Sequence, residues 1–208
     1  MRLPLRAVAA LAALAGAFLT SAPATANAQT TASTTTYSGE GDDVVSIPVA
    51  STPSIVKATH QGESNFIVWA LATSGKQVDL VANEVGDYKG TVAFNVSGAH
   101  KVRSFSVTAD GSWTLQVLPI TKARYWAINA KGTGPDVLRL TAPSKGLRRL
   151  TLRYSGDSNF IVWALDNRGR TRNLLVNKIG AYKGRVALPA GTRYATIQAD
   201  GAWSIARQ

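Results

Sequence analysis

The sequence predicts an all-β protein made of two tandem small antiparallel β-sandwich domains that arose by internal duplication. Three observations support this prediction. A long motif occurs twice, apolar and polar residues alternate with a period of two, and glycine-containing turns separate the apolar runs at short intervals. No segment after residue 36 shows a sustained apolar period of 3.6 residues, so helices are not expected there.

The internal repeat covers almost the whole chain after its first 36 residues. Residues 62–71 recur as 156–165, and residues 83–90 recur as 177–184. Each copy ends in Ala-Asp-Gly-x-Trp, at 109–113 and 199–203, and the first copy has four extra residues near position 98. A match of this extent indicates duplication of one structural unit.

Within each copy the local pattern is that of strands. In the second copy, three apolar residues alternate with three polar ones: Leu150, Leu152 and Tyr154 with Arg149, Thr151 and Arg153. This alternation is typical of a strand with one buried face. About seven short strands per copy are expected, the number found in a small β-sandwich.

These patterns divide the chain into five parts. We expect a signal peptide at 1–28, a threonine-rich extended segment at 29–36, repeat 1 at 37–119, a connector at 120–131 and repeat 2 at 132–208. The signal peptide is predicted from Arg2 and Arg6, the apolar run 7–19 and an Ala-x-Ala site at 26–28. The protein is therefore expected to be secreted and extracellular, with no membrane anchor.

The segment 29–36 allows two interpretations. It contains no glycine, proline or charged residue, and it is rich in threonine, which favours strands. It is either a flexible tail or a strand that adds to the sheet edge of a partner. Under the second interpretation, Thr34, Thr35 and Thr36 bind the partner.

One predicted strand departs from alternation in both copies. Residues 66–71 and 160–165 are apolar on both faces, so their outer faces must also be covered. Either neighbouring loops cover them, or the two outer faces meet and pack the copies together.

The sequence offers few candidates for catalysis. His60 aligns with Tyr154 and His100 lies in the extra residues, so neither histidine recurs. Asp110 and Asp200 do recur, but each precedes a glycine, where a turn explains the residue. We therefore expect no catalytic residues and no enzymatic activity, with a hydrolase as a distant alternative.

No metal or cofactor is expected either. Glu40, Asp42 and Asp43 form an acidic group that resembles a set of calcium ligands, but the second copy does not repeat it. The chain also contains no cysteine, which excludes thiolate metal sites and leaves packing without disulfides to stabilise the fold.

Three pairs of aromatic residues recur between the copies: Trp69 with Trp163, Tyr88 with Tyr182, and Trp113 with Trp203. Exposed aromatic rings could stack on sugars, whereas buried rings belong to the sandwich core. We expect the tryptophans of the apolar strand to lie in the core and the two tyrosines to be the surface aromatics.

The two repeats differ in charge. Residues 37–119 contain five basic and eight acidic residues, whereas residues 132–208 contain thirteen basic and four acidic ones. Opposite net charges indicate different electrostatic partners.

Two groups of arginines in repeat 2 are candidates for binding. Arg168, Arg170 and Arg172 occupy alternate positions, so an extended backbone would direct all three to one side, and Arg149 and Arg153 form a second pair. Guanidinium groups suit carboxylates and phosphates. We expect an acidic protein surface opposite repeat 2, or an anionic polymer of the cell envelope. Nucleic acid is not expected, because no nucleic-acid-binding motif is present.

The strand motif Ser-Asn-Phe-x-Val-Trp-Ala-Leu, with its downstream Leu-x-x-Asn-x-x-Gly-x-Tyr-x-Gly and Ala-Asp-Gly-x-Trp, resembles a tandem all-β repeat of secreted actinobacterial proteins. This resemblance covers nearly the whole chain after the signal peptide and implies secretion and a β fold, but no reaction. In size and architecture the chain also resembles the stalk or adaptor subunit of secreted umbrella-shaped toxin particles.

Together these observations favour a secreted, non-catalytic adaptor or structural protein that bridges partners in an extracellular assembly. The alternative from another class is a module that binds glycans or the cell envelope.

Overall fold

Each repeat is built from two antiparallel sheets that enclose one apolar core. The computed structural model describes residues 34–208, and within this range the chain is all-β apart from a 3-10 turn at Ile120–Lys122. Four sheets form two sandwich-like halves, which confirms the predicted fold class. No helix in this range is long or apolar enough to cross a membrane.

Repeat 1 contains eight strands: β1 (Thr35–Glu40), β2 (Asp43–Ala50), β3 (Ser54–Gln61), β4 (Asn65–Ala72), β5 (Gln77–Val85), β6 (Tyr88–Phe94), β7 (Val102–Thr108) and β8 (Ser112–Pro119). Sheet A has the order β1-β8-β3-β6, and sheet B has the order β2-β7-β4-β5. All ladders in these two sheets are antiparallel.

Repeat 2, with the connector before it, contains nine strands: β9 (Arg124–Tyr125), β10 (Asn129–Thr133), β11 (Asp136–Arg139), β12 (Arg148–Tyr154), β13 (Asn159–Leu165), β14 (Thr171–Ile179), β15 (Tyr182–Leu188), β16 (Tyr194–Gln198) and β17 (Ala202–Arg207). Sheet C has the order β14-β13-β16-β11-β9, and sheet D has the order β10-β17-β12-β15. The short β9–β11 ladder is parallel.

The two repeats share their strand pairing in detail. Sheet D corresponds to sheet A, and sheet C corresponds to sheet B. The hairpin of β4 with β5 shifts register between Val68 and Trp69, and the hairpin of β13 with β14 shifts between Val162 and Trp163. A shared irregularity at the same place is expected of a duplicated backbone.

Alternating side chains of both sheets fill each core, as the period of two predicts. In repeat 1 the fully buried residues include Phe66, Phe94 and Phe105. In repeat 2, Leu150, Leu152 and Phe160 occupy the corresponding interior. Burying each such side chain contributes about 1.5 to 3 kcal/mol.

Two edge strands extend the repeats beyond the predicted boundaries at 37 and 132. β1 begins at Thr35 and pairs with β8, and β10 begins at Asn129 and pairs with β17. Each carries a glycine against a core tryptophan: a Cβ on Gly39 would lie 2.4 Å from the ring of Trp113, and one on Gly132 would lie 2.6 Å from that of Trp203.

The repeats contact each other through different sheets. Sheet A contributes Ile55 and Leu118, and sheet C contributes Val137, Leu165 and Tyr194, to a separate apolar cluster with Ile120 of the connector. Two backbone bonds also cross this interface. Thr91 N donates to Pro135 O at 3.0 Å, and Thr171 N donates to Val96 O at 3.1 Å.

This interface shows what covers the outer face of β13, one of the two strands that are apolar on both faces. The Leu165 end of β13 packs against sheet A, whereas no residue of β4 belongs to the cluster in the described chain. Of the two alternatives, the one in which the two outer faces meet each other is therefore wrong, because unlike sheets of the two copies make the contact.

Candidate functional site

The outer face of sheet D carries a group of five cations, which we call the basic face: Lys131, Arg149, Arg153, Lys183 and Arg185. All five are exposed. The strand register places Lys131 and Arg153 on either side of Ser204 in β17, with Lys183 directly opposite Arg153. These cations thus form a row across the sheet, in which neighbouring strands lie about 4.8 Å apart.

The remaining two cations extend the row along the strands. Arg185 lies opposite Thr151, and Arg149 lies opposite Ala187. The four strands of sheet D contain no acidic residue. None of the five cations forms an ion pair within residues 34–208.

The basic face belongs to repeat 2 alone. At the corresponding positions, repeat 1 has Ser38, Ile55, Thr59, Lys89 and Thr91, so only the lysine of β6 is kept. The groove over this end of sheet A instead includes Glu40 and Asp87. The same scaffold therefore presents a basic surface in one copy and a mixed one in the other.

The predicted pair Arg149 and Arg153 lies within the basic face, as the alternation of β12 requires. The sequence reasoning missed Lys131, Lys183 and Arg185, because they come from β10 and β15. Their positions alternate along each strand, but which strands lie side by side is not evident from one sequence.

The predicted triplet Arg168, Arg170 and Arg172 does not form a row. Asp166 Oδ1 accepts the backbone N–H groups of Arg168 at 2.8 Å and Arg170 at 2.9 Å, which closes a turn instead of an extended strand. β14 begins only at Thr171. The premise that an extended backbone directs the three side chains to one side is therefore wrong.

Two of these arginines make contacts inside the molecule. Arg172 Nη1 donates to Ala190 O at 3.1 Å. Arg170 packs against the extra loop of repeat 1, since a Cβ on Gly98 would lie 2.9 Å from Arg170 Nε. The Arg170 guanidinium is thus positioned at the interface between the repeats.

Thr35 and Thr36 belong to repeat 1's own sheet. Thr35 pairs with Val117 and Thr36 with Gln116, while Thr34 precedes the strand and is exposed. Donating these two threonines to a partner through the edge already paired with β8 would require breaking that pairing. Residues 29–33 lie outside the described residues.

The recurring aspartates organise the turns beside them. Asp110 Oδ2 accepts the backbone N–H groups of Glu63 at 2.9 Å and Ser64 at 2.8 Å. The Glu63 bond in particular holds the pKa of the Asp110 carboxyl below its usual range, and the nearby His60 acts in the same direction. Asp200 accepts the Ser158 N–H and the Tyr154 hydroxyl in the same way.

His60 is buried beneath this turn. Its ring stacks on Phe66 with 4.6 Å between centroids, Nδ1 lies 2.8 Å from Gly86 O, and Nε2 lies 3.3 Å from Asp110 Oδ1. Tyr154 occupies the equivalent position and stacks on Phe160, also at 4.6 Å. The histidine ring thus takes the packing position that a tyrosine fills in the other copy.

The acidic group of repeat 1 also bonds to backbone. Asp42 Oδ1 accepts the Ala109 N–H at 2.9 Å, and Asp43 Oδ1 accepts the Val44 N–H at 2.6 Å. Within residues 34–208, no group of three or more histidine, cysteine or acidic side chains has an arrangement that could hold a metal ion.

The recurring aromatics are distributed differently from the sequence expectation. Trp113 and Trp203 are core residues whose Nε1 groups donate to Gly41 O and Gly134 O. Tyr88 is buried, whereas Trp163 is 36% exposed. The expectation was therefore wrong at Tyr88, which packs in the core beside Phe66. It was also wrong at Trp69 and Trp163, which lie on the outer faces of β4 and β13.

Trp163 lines a cleft of about 660 Å³ between the repeats, which we call the inter-repeat cleft. Its floor is the outer face of β13, and strands β5 and β6 of repeat 1 form the opposite wall. Glu84 and Asp200 lie on its two sides. Burial raises the pKa of Glu84, and the negative charge of Asp200 raises it further.

Comparison with known proteins gives no family for the chain. No protein-family model matches it, and no curated protein matches it. Among solved structures, it is similar to a conserved protein of unknown function from Pseudomonas aeruginosa. The two sequences are 13% identical, the match covers 84% of this chain and 78% of that chain, and the TM-score is 0.25.

Two further similar structures are regulatory subunits of a cAMP-independent protein kinase A. The one from Trypanosoma cruzi, bound to guanosine, has 8% identity, coverage of 84% and 72%, and a TM-score of 0.23. The one from Trypanosoma brucei has 10% identity, coverage of 84% and 74%, and a TM-score of 0.25. Likeness at these TM-scores carries no inference about function.

Proposed function

We propose that the protein is a secreted, non-catalytic adaptor, and that the basic face of repeat 2 holds an acidic surface of a partner in an extracellular protein assembly. An umbrella-shaped toxin particle, to whose stalk or adaptor subunit the chain is similar in size and architecture, is one such assembly. The predicted signal peptide supports secretion, although it lies outside the described residues.

The observation that carries this proposal is the pairing of Arg153 with Lys183. Like charges directly opposite each other on a sheet are destabilising, and here the surrounding strands supply no carboxylate. A partner's carboxylates would remove this repulsion. The sheet fixes the positions on the strands from which these arginine and lysine side chains extend, which favours a partner whose carboxylates have a matching spacing.

The test is capture of partners from the culture supernatant of the producing organism, with quantitative mass spectrometry. Wild-type protein is compared with R153E/K183E. A matched control, K76E/K101E, makes the same charge change at two exposed lysines of repeat 1. We expect discrete proteins with wild type and control, at least tenfold depletion with R153E/K183E, and loss of binding as salt increases.

Two outcomes would contradict the adaptor proposal. If R153E/K183E recovers the same proteins in the same amounts, the basic face is not the binding surface. If wild-type protein is retained on cell walls instead and captures no discrete protein, the ligand of the basic face is an anionic envelope polymer.

A further inference from the structure

The inter-repeat cleft combines an exposed indole with hydrogen-bonding side chains. Trp163 and Ile161 form its floor on the outer face of β13, and Leu80 lies on the opposite wall. The cleft joins both repeats in one cavity of about 660 Å³, a size suited to a small ligand. It lies away from the basic face, because it opens over sheet C and not over sheet D.

The exposure of Trp163 is specific to this cleft. Its counterpart Trp69 lies on the equivalent strand of repeat 1, where it is half-buried, and it does not line the cavity. Two identical residues on duplicated strands therefore have different surroundings. A partly exposed indole inside a concave site leaves apolar area that a ligand can cover.

Polar side chains line the cleft beyond the indole: Gln198 lies opposite Ile161, and Asn159 lies four residues before Trp163, about 13 Å away along β13. Asn83 comes from β5 of repeat 1, and Asn159 and Gln198 come from β13 and β16 of repeat 2. In the described chain, none of these three amide side chains takes part in a hydrogen bond with another residue. Each can therefore donate and accept hydrogen bonds toward a ligand.

The charges of the cleft restrict what can bind. Glu84, Asp136 and Asp200 line it, and no lysine or arginine does. Asp136 is paired with Arg124 at 2.6 Å, and Asp200 already accepts hydrogen bonds from repeat 2, so Glu84 is the carboxylate that faces a ligand. Carboxylates accept hydrogen bonds from hydroxyl groups but repel anions. A ligand with many hydroxyl groups and an apolar face, but without negative charge, satisfies the indole, the amides and Glu84 together.

We propose that the inter-repeat cleft binds an uncharged oligosaccharide, with one pyranose ring stacked on Trp163 and the hydroxyl groups of the adjoining rings bonded to Asn83, Asn159 and Gln198. The apolar C–H face of the first ring covers the indole, and the following rings extend along β13 toward the amides, which lie up to about 13 Å from Trp163 along the strand. This site is independent of the adaptor function proposed for the basic face.

The test is titration of the mature protein with three neutral tetrasaccharides, namely those of N-acetylglucosamine, β-1,4-glucose and β-1,4-xylose. Binding is followed by isothermal calorimetry and tryptophan fluorescence. The variant W163A removes the proposed platform, and W69A is the matched control on the equivalent strand. A second variant, N159A/Q198A, keeps the indole and removes two exposed amides, and melting curves confirm that each variant is folded.

We expect at least one tetrasaccharide to bind saturably, with an affinity at least tenfold lower in W163A and N159A/Q198A and within twofold of wild type in W69A. Sugar binding should also be unchanged in R153E/K183E and insensitive to salt. The oligosaccharide proposal is therefore tested separately from the adaptor proposal. Absence of saturable binding of all three sugars at millimolar concentration would overturn the inference. Equal loss of affinity in W69A and W163A would do so as well.

Discussion

At the scale of single residues, the duplication allows His60 of repeat 1 to be compared with the residue at the same position of repeat 2. The histidine and its counterpart Tyr154 both stack on a phenylalanine and both approach a turn aspartate. Gly62 and Gly156 complete the comparison, because a Cβ on either would collide with that aspartate. The two copies thus fill one steric position with two different side chains.

This comparison predicts that H60Y is tolerated, whereas H60A is not. H60Y reproduces the tyrosine–aspartate arrangement of repeat 2, so we expect a free energy of unfolding within about 1 kcal/mol of wild type. H60A leaves a cavity beside Phe66 and is expected to lower it by about 2 to 4 kcal/mol. Chemical denaturation of the two variants measures this difference.

The same pair tests the non-catalytic proposal. H60Y removes the imidazole and keeps the packing, so partner capture by H60Y should equal that of wild type. A folded H60Y protein that loses function at the basic face, or loses a hydrolytic activity present in wild type, would contradict the proposal and assign a chemical role to His60.

Exposure of individual aromatics could not be predicted from the sequence. Trp69 and Trp163 have the same neighbours along the chain, yet Trp163 lines the inter-repeat cleft and Trp69 does not, because repeat 1 lies over β13. Tyr88 follows a glycine turn but points into the core beside Phe66. Local pattern determines the face of a strand, and only the packing of whole sheets determines what covers that face.

At the scale of elements, β1 defines an edge of repeat 1. It has β8 on one side, and no strand pairs with its other side within residues 34–208. An unpaired edge can accept a strand from another chain. Thr35 and Thr36 therefore pair within repeat 1, and a partner strand could add only at the other edge of β1.

We expect T35P/T36P to destabilise repeat 1 by about 1 to 2 kcal/mol. Successive N–H groups in a strand point in opposite directions, so one of these two residues donates to β8 and proline removes that bond. T34P, placed just before the strand, should leave the melting temperature unchanged. Equal melting temperatures for all three proteins would show that β1 adds nothing to the stability of the repeat.

The strands themselves could largely be predicted, but their ends could not. The alternation of Leu150 and Leu152 with Arg149 and Thr151 is visible in the sequence and forms β12 as expected. The sequence indicates a turn at 167–169 through Gly169, but the alternating arginines on both sides of that glycine also fit an extended strand, and the sequence alone did not decide between the two. A single carboxylate that accepts two backbone N–H groups there ends the extended conformation.

At the scale of the whole molecule, unlike sheets of the two copies form the contact between the repeats. Within residues 34–208, this heterologous arrangement leaves sheet B and sheet D without a residue in the apolar cluster that joins the repeats. Position 55 is central on sheet A, where Ile55 is fully buried in the contact, and the equivalent residue on sheet D is Arg149. The charge of Arg149 disfavours burial of sheet D against another molecule in the way that sheet A is buried against sheet C.

We therefore predict that R149I promotes self-association. The substitution places on sheet D an isoleucine equivalent to Ile55, with which sheet A contacts sheet C inside the molecule. Sheet D of one molecule can then pack in the same way on sheet B of another molecule, where Val44 is 61% exposed. In sedimentation velocity, the weight-average sedimentation coefficient of R149I should rise with concentration more steeply than that of wild type.

R153T is the matched control, since it also removes one cation of the basic face and introduces the residue found in repeat 1, Thr59, without adding an aliphatic side chain. If R149I and R153T behave alike, loss of charge and not gain of an apolar contact is responsible, and Arg149 has no blocking role.

Because the contact joins unlike sheets, the two sheets outside it, B and D, are not equivalent. Their outer faces differ, with Val44 and Trp69 on one and the basic face on the other. A symmetric dimer offers the same surface twice and joins two identical neighbours. Under the proposed adaptor function, this chain would instead distinguish its partners by position, with one place for each that the other could not take.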